Sequence, residues 1–274
     1  MRLTSSIAVI ALCCGVQAQP VVRAGKTATG ISYDVRGSGP VVVLITGSNL
    51  DRRMWARETG WLAANHTVVR YDLRAHGQSD GATAQFSNLG DLWAVLDALE
   101  ISKASLVGLS AGSTIALDAA LENPARVDRI VLSGPSISGF VLKQRPAFVG
   151  DLMSALQARD YQKAAEVLLA TPVFAAPPEA QALVRQMVTE NDRLWTVSRE
   201  MMTGPARSAI DRLADVRVLT LVLIGENDLL QREQADLLAE RVTGARLVVI
   251  PKGGHLLNLT SPQEFEAAVS PFLR

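Results

Sequence analysis

Short apolar runs alternate with amphipathic stretches along most of the 274-residue chain. The run Val41–Ile45 is apolar at every position, which is typical of a parallel strand buried on both faces. The stretch from Phe86 to Leu99 instead repeats apolar residues at helical spacing. Further strands are predicted at 67–71, 104–107, 130–132, 219–224 and 247–250. This alternation predicts an α/β protein with a doubly wound, mostly parallel sheet.

The pattern changes between about Pro135 and Pro205, where helical stretches broken by prolines replace the strand-like runs. We therefore predict a helical insertion over residues 135–205, between two parts of one α/β core at 19–134 and 206–274. The large apolar residues of this insertion are available either to line a pocket or to pack helix against helix. They are Phe140, Phe148, Met153, Phe174, Met187, Trp195, Met201 and Met202.

The first 18 residues have the pattern of a secretory signal peptide. A positive start at Arg2 precedes the apolar run Ile7–Cys14, and Val16–Ala18 supplies the small residues that a signal peptidase reads. We predict cleavage after Ala18 and a secreted or periplasmic protein. The apolar run is about half of the roughly 20 residues that a spanning helix needs, so no stable membrane anchor is expected. The alternatives are an N-terminal helix of a cytoplasmic protein and a lipidated Cys13.

Composition and charge exclude several classes of partner and of catalytic site. The formal net charge is zero and no basic block occurs, so nucleic acid is not an expected partner. Both cysteines, Cys13 and Cys14, lie in the predicted signal peptide. The processed chain would therefore have no disulfide, no thiolate metal site and no cysteine nucleophile, and without Arg2 its formal charge would be −1. We expect neither a metal nor an organic cofactor.

The segment Gly108–Gly112, with the sequence Gly-Leu-Ser-Ala-Gly, is the strongest candidate for chemistry. It lies between a predicted strand and a predicted helix. Because the two glycines lack Cβ atoms, the chain can turn sharply around Ser110. Such a turn places the serine hydroxyl beyond the sheet as a nucleophile. The five-residue motif alone occurs often by chance, and the flanking strand and helix are what favour a functional interpretation.

A serine hydroxyl needs a base to remove its proton, and the chain has three histidines. His66 precedes a strand, and His76 lies in a turn where hydrogen bonding to loop backbone is expected. His255 follows the predicted strand 247–250 through a glycine-containing loop at the carboxyl end of the sheet, where Ser110 also emerges. We therefore predict that His255 is the catalytic base.

An imidazole that acts as a base is usually held in one tautomer by a carboxylate on its other nitrogen. Asp228 follows the predicted strand 219–224, in a loop expected to neighbour the loop of His255. Glu226, two residues earlier, is the rival acid. We predict that Asp228 orients His255.

The chain order Ser110, Asp228, His255 resembles that of the α/β-hydrolase triad. Gly37–Pro40 before the first buried strand and the Asp72–Ser79 turn extend the resemblance over nearly the whole processed chain. The resemblance implies an α/β-hydrolase-fold serine hydrolase in which the insertion forms a helical cap.

A tetrahedral intermediate needs N–H donors directed at its oxyanion. Ala111 follows the nucleophile at the start of a helix, where unpaired N–H groups and the helix dipole favour negative charge. The resemblance implies a second backbone donor in the loop Thr46–Asn49, with Ser48 at the matching position. This loop also resembles that of small-ester methylesterases such as aclacinomycin methylesterase, although Thr46 stands where relatives usually have histidine.

These features predict an exported hydrolase that cleaves a carboxylic ester, thioester or lactone of a small, largely apolar substrate through an acyl-Ser110 intermediate. The expected partner is this small-molecule substrate, and the sequence does not indicate an oligomeric state. Alternatives on the same triad are carbon–carbon bond hydrolysis and cofactor-free perhydrolase or haloperoxidase chemistry. A non-catalytic protein of this fold that binds a small ligand is the alternative from another class.

Overall fold

The computed structural model describes residues 23–274, in which eight strands form one sheet. The predicted signal peptide, residues 1–18, lies outside these described residues. The strands are β1 (Arg23–Lys26), β2 (Ser32–Arg36), β3 (Val41–Ile45), β4 (Thr67–Tyr71), β5 (Ala104–Leu109), β6 (Val127–Ser133), β7 (Leu219–Gly225) and β8 (Arg246–Ile250). The α-helices are α1 (Ala56–Leu62), α2 (Asn88–Ala98), α3 (Ala111–Glu122), α4 (Phe148–Gln157), α5 (Tyr161–Leu169), α6 (Pro178–Glu190), α7 (Arg232–Arg241), α8 (Leu257–Thr260) and α9 (Pro262–Phe272). No helix within 23–274 combines the length and apolar character needed to cross a bilayer.

The strand order is β1-β2-β4-β3-β5-β6-β7-β8, with β1 and β2 antiparallel to their neighbours and the other strands parallel. Helices α2, α3 and α7 cover one face of the sheet, and α1 and α9 cover the other. The central strands are apolar on both faces because both faces are covered, and Val43, Leu44 and Leu106 are fully buried. The predicted doubly wound, mostly parallel sheet is confirmed.

The sheet order reverses between β3 and β5. From β3 the chain continues to β4 on one side, whereas β5 and the later strands lie on the other side. Open α/β sheets form a crevice beyond the carboxyl ends of their strands at such a point. The loop after β3 and the turn after β5 therefore flank this crevice.

Between β6 and β7 the chain forms α4, α5, α6 and short 3-10 helices, and within this described segment it adds no strand to the sheet. From here on, the name helical insertion denotes residues 134–218, the whole segment between β6 and β7, which contains the predicted 135–205. Its two ends meet, because Ile210 N donates to Ser138 O at 3.1 Å and Ala209 N donates to Ser138 Oγ at 2.9 Å. Since β6 and β7 are neighbours in the sheet, the chain leaves the core and returns to it at one place.

Candidate active site

Ser110 lies where β5 turns into α3. Its backbone has φ 53° and ψ −115°, a conformation that costs free energy for a residue with a side chain. Ser110 N donates to Ser133 O at 3.0 Å, and Ser110 O accepts from Ser113 N at 2.9 Å. These bonds to β6 and α3 hold the strained backbone in place.

The two glycines around Ser110 are required by close packing of backbone. A Cβ atom on Gly108 would lie 2.2 Å from Gly112 O, and one on Gly112 would lie 2.3 Å from Ile45 O. Neither acceptor can move away, because both belong to the backbone of regular elements. The motif is thus explained by the packing of β3, β5 and α3, and the chemistry of Ser110 depends on what surrounds it.

His255 and Asp228 form a buried pair. Asp228 Oδ2 lies 2.7 Å from His255 Nδ1, and the two side chains are only 2% and 3% exposed. Because the carboxylate accepts a hydrogen bond from Nδ1–H, Nε2 is left as the basic nitrogen. The rival acid Glu226 is exposed and accepts a hydrogen bond from Lys252 N at 2.8 Å.

Ser110 and His255 line the same cavity, which has a volume of about 210 Å³. Among the described residues, His255 is the only one in its wall with an acidic or basic side chain. The wall is otherwise mostly apolar and includes Leu109, Phe148, Leu168, Val173, Phe174 and Leu230. The catalytic candidates therefore face a small, uncharged and largely apolar space.

The helical insertion supplies part of this wall. Phe148 and Phe174, two of the apolar residues considered from the sequence, line the cavity. Met187 is instead fully buried in the core, and Met153 is half exposed. A second cavity of about 230 Å³ shares Phe148 and His255 with the first and extends to the exposed Leu229.

Of the two predicted oxyanion donors, Ala111 directly follows Ser110 in the chain, and Ser48 lines a cavity with Ser110. Ser48 lines the 210 Å³ cavity and also a larger one of about 730 Å³, which Ala111 lines as well. Ala111 is the first residue of α3, where the N–H has no partner within the helix. No backbone acceptor in residues 23–274 occupies the N–H of Ser48 or of Ala111. Both groups are therefore available to an oxyanion.

His76 and Asn191, which lie outside the predicted site, hold the loop after β3 through hydrogen bonds to Asn49. Asn49 has φ 63°; its N–H donates to His76 Nε2 at 3.1 Å, and its carbonyl accepts from Asn191 Nδ2 at 3.3 Å. His76 Nδ1 lies 2.8 Å from Arg74 O, so the imidazole is neutral with its proton on Nδ1. Burial lowers the pKa of His76 and favours this neutral form. The predicted bonding of His76 to loop backbone is confirmed, whereas Asn191 carried no recognisable sequence signal.

The described part of the chain contains no group of three or more His, Cys, Asp or Glu residues arranged to hold a metal ion. The chemistry that the arrangement can perform is nucleophilic attack by Ser110, with His255 as base and backbone N–H groups nearby.

Comparisons with known proteins place these residues in a family context. The model of the alpha/beta hydrolase family matches residues 42–268, which include the segment Gly108–Gly112 and the His255–Asp228 pair. A pimeloyl-(acyl-carrier protein) methyl ester esterase from Pectobacterium carotovorum is 29% identical, over 88% of this chain and 97% of its own. A 3-oxoadipate enol-lactonase from Acinetobacter baylyi is 26% identical, over 92% of this chain and 95% of its own. A thermophilic esterase structure from Thermogutta terrifontis has a TM-score of 0.75 at 25% identity, and the similarity covers 94% of this chain and 98% of that one.

Proposed function

The chain belongs to the alpha/beta hydrolase family, and from this premise we propose that it is a serine hydrolase of a carboxylic ester, thioester or lactone. The observation that carries the proposal is the 2.7 Å contact between His255 Nδ1 and Asp228 Oδ2, in a site where His255 shares a cavity with Ser110. Relatives named as an esterase and an enol-lactonase support the reaction class.

In the proposed mechanism, His255 Nε2 takes the proton of Ser110 Oγ as the oxygen attacks the carbonyl carbon. Asp228 stabilises the imidazolium that forms. The N–H groups of Ala111 and Ser48 stabilise the oxyanion, the first assisted by the dipole of α3. The leaving alcohol or thiol takes the proton from His255, and an acyl-Ser110 ester remains. Water activated by His255 then attacks this ester and releases the acid.

The size and character of the cavity support a small, largely apolar substrate. Its volume of about 210 Å³ lies below the roughly 300–1,000 Å³ of typical ligand pockets. Because Phe148, Leu168 and Phe174 come from the helical insertion, we propose that this segment acts as a cap that restricts which substrates enter.

The test of this function is Ser110→Ala. We expect ester hydrolysis to fall about 10⁴-fold or more with an unchanged unfolding transition. A fluorophosphonate probe should label the unmodified protein and leave the variant unlabelled. Ser154→Ala is the control, because among the described residues the hydroxyl of Ser154 bonds only to Gly150 O, within α4.

Two results would contradict the proposal. Near-full esterase activity in folded Ser110→Ala would exclude the acyl-serine mechanism and leave other chemistry on this fold. Absence of labelling together with tight reversible binding of a small ligand would indicate a non-catalytic binding protein.

We also propose that the protein is exported, on the basis of the signal-like pattern of residues 1–18. N-terminal sequencing of the protein recovered outside the cytoplasm should begin at Gln19. Recovery of chains that begin at Met1, confined to the cytoplasm, would contradict export.

A further inference from the structure

We propose that Gln231 provides the substrate cavity with a hydrogen-bond donor for a second, uncharged oxygen of the substrate. The preferred esters or lactones would then carry a keto, hydroxyl or ether oxygen in addition to the group that is cleaved. This inference rests on the proposed hydrolase function and deepens it.

The orientation of the Gln231 amide follows from its neighbours. Ile137 N donates to Gln234 Oε1 at 2.8 Å, and because a backbone N–H only donates, the oxygen of Gln234 must lie there. Gln234 Nε2 consequently faces Gln231 and donates to its Oε1. The oxygen of Gln231 is thereby used within the protein.

The side-chain nitrogen of Gln231, in contrast to its oxygen, is not used in a hydrogen bond within the described residues. Gln231 is 92% buried and lines the 210 Å³ cavity together with Ser110 and His255. Its Nε2 has no hydrogen-bond acceptor among residues 23–274, and this atom keeps some accessible surface, since it is not among the fully buried side-chain atoms that lack a partner. Since the oxygen is committed to Gln234, the amide nitrogen is the polar atom that Gln231 offers to the cavity. An accessible donor in the wall of the substrate cavity, with no partner in the described residues, is placed to bind an acceptor on the ligand.

The position of Gln231 distinguishes this acceptor from the carbonyl oxygen that is attacked. Gln231 follows β7, and its N–H lies 3.4 Å from Asp228 Oδ1, on the side of the acid and the base. The loop of Ser48 follows β3, and β5 and β6 separate β3 from β7 in the sheet. The carbonyl oxygen belongs on the β3 side, near Ser48, so the oxygen that Gln231 binds is a different atom.

The charge of the cavity selects an uncharged acceptor. Within the described chain, no Lys or Arg side chain lines the 210 Å³ cavity, and Asp228 lies close to Gln231. A carboxylate would lose its hydration in this space without gaining a cation. A keto, hydroxyl or ether oxygen carries a much smaller desolvation cost and is satisfied by one amide N–H.

The experiment compares p-nitrophenyl esters whose acyl chains are identical except that one methylene is replaced by a keto group or an ether oxygen. For the unmodified protein, we expect kcat/KM for the oxygen-bearing ester to exceed that for the plain ester by about tenfold at the best oxygen position. Gln231→Met, which keeps the length of the side chain and removes the donor, should bring this ratio to about one. Gln231→Glu, which replaces the donor with an acceptor, should bring it to one or below.

The ratio of two substrates within one variant cancels any general loss of folded enzyme. Gln162→Met is the matched control, because Gln162 is exposed on α5 and lies outside the cavity wall; it should keep the ratio of the unmodified protein. A ratio near one at every oxygen position in the unmodified protein, or a ratio that both Gln231 variants retain, would overturn the proposal. Labelling of Ser110 by a fluorophosphonate shows that the hydrolase function stands in that case, whereas loss of labelling and of all ester hydrolysis in the unmodified protein would overturn both.

Discussion

Gly134 shows how little space surrounds the His255–Asp228 pair. It has φ 48°, and a Cβ atom there would lie 2.8 Å from His255 Nδ1 and 3.2 Å from Asp228 Oδ2. We expect Gly134→Ala to displace the pair and to lower kcat for a small ester about 10²-fold, since such a displacement of catalytic groups has an effect of this order. Gly244→Ala is the control, because Gly244 has φ 77° and no atom of residues 23–274 would lie within 4 Å of its Cβ. Steady-state kinetics should show the loss in Gly134→Ala alone; equal kcat values for the two variants would contradict a displacement of the pair by the new Cβ atom.

At the scale of single residues, the sequence predicted those candidate site residues that come after strands. Ser110, Asp228 and His255 each come after a parallel strand, and the carboxyl ends of such strands share one edge of the sheet. The contact of Gly134 with the pair and the orientation of the Gln231 amide could not be predicted in this way. They depend on differences of a few tenths of an ångström in the distances between loops that are far apart in the chain.

The loop after β3 is held by Asn191, the residue that directly follows α6. Asn191 is 1% exposed; its Nδ2 lies 3.3 Å from Asn49 O and 3.2 Å from Asp51 Oδ2, and its Oδ1 accepts from Gly77 N at 2.6 Å. We expect Asn191→Ala to lower kcat by about tenfold to 10²-fold with little change in KM. The reason is that the Ser48 N–H loses its position while the apolar cavity wall is kept.

The kcat and KM values for a small ester check this prediction. Asn65→Ala is the control, because Asn65 is exposed and its side chain makes no hydrogen bond to the described residues. A rise in KM at constant kcat would mean that Asn191 supports substrate binding rather than the position of the Ser48 N–H.

Whole elements were predictable where their pattern was strong. The apolar run predicted β7 at 219–224, and the strand extends one residue further, to Gly225. Strand β1 has the sequence Arg-Ala-Gly-Lys and no alternation, and it forms because β2 offers an unpaired edge. The insertion was predictable as helical, but which helix face meets the cavity depends on tertiary packing.

A buried carboxyl group couples the stability of the whole domain to pH. Burial raises the pKa of Glu58 in α1 from 4.5 to about 7, and its Oε2 accepts from Asn258 Nδ2 at 3.3 Å. Because the folded state binds this proton more tightly than the unfolded state, the free energy of unfolding should fall as pH rises from about 4.5 to about 7 and level off above. We expect Glu58→Gln to remove about 3 kcal/mol of this decrease.

Urea unfolding at pH 4.5 and pH 8 measures the free energy of unfolding of the unmodified protein and of Glu58→Gln. Burial also raises the pKa of Asp118, to about 6, so the difference between the two proteins isolates Glu58. The same pH dependence in Glu58→Gln and the unmodified protein would contradict the assignment.

The hydrogen bonds between Ser138 and residues 209–210 join the two ends of the helical insertion. The insertion therefore leaves the core after β6 and returns to it at the neighbouring β7, and its ends are joined. Its length sets no constraint on the register of these two strands. A segment of different size and shape spliced at this seam would leave the positions of Ser110, Asp228 and His255 in the core unchanged. The proposed catalytic residues and the proposed cap thus occupy separable stretches of the chain, which are free to diverge at different speeds.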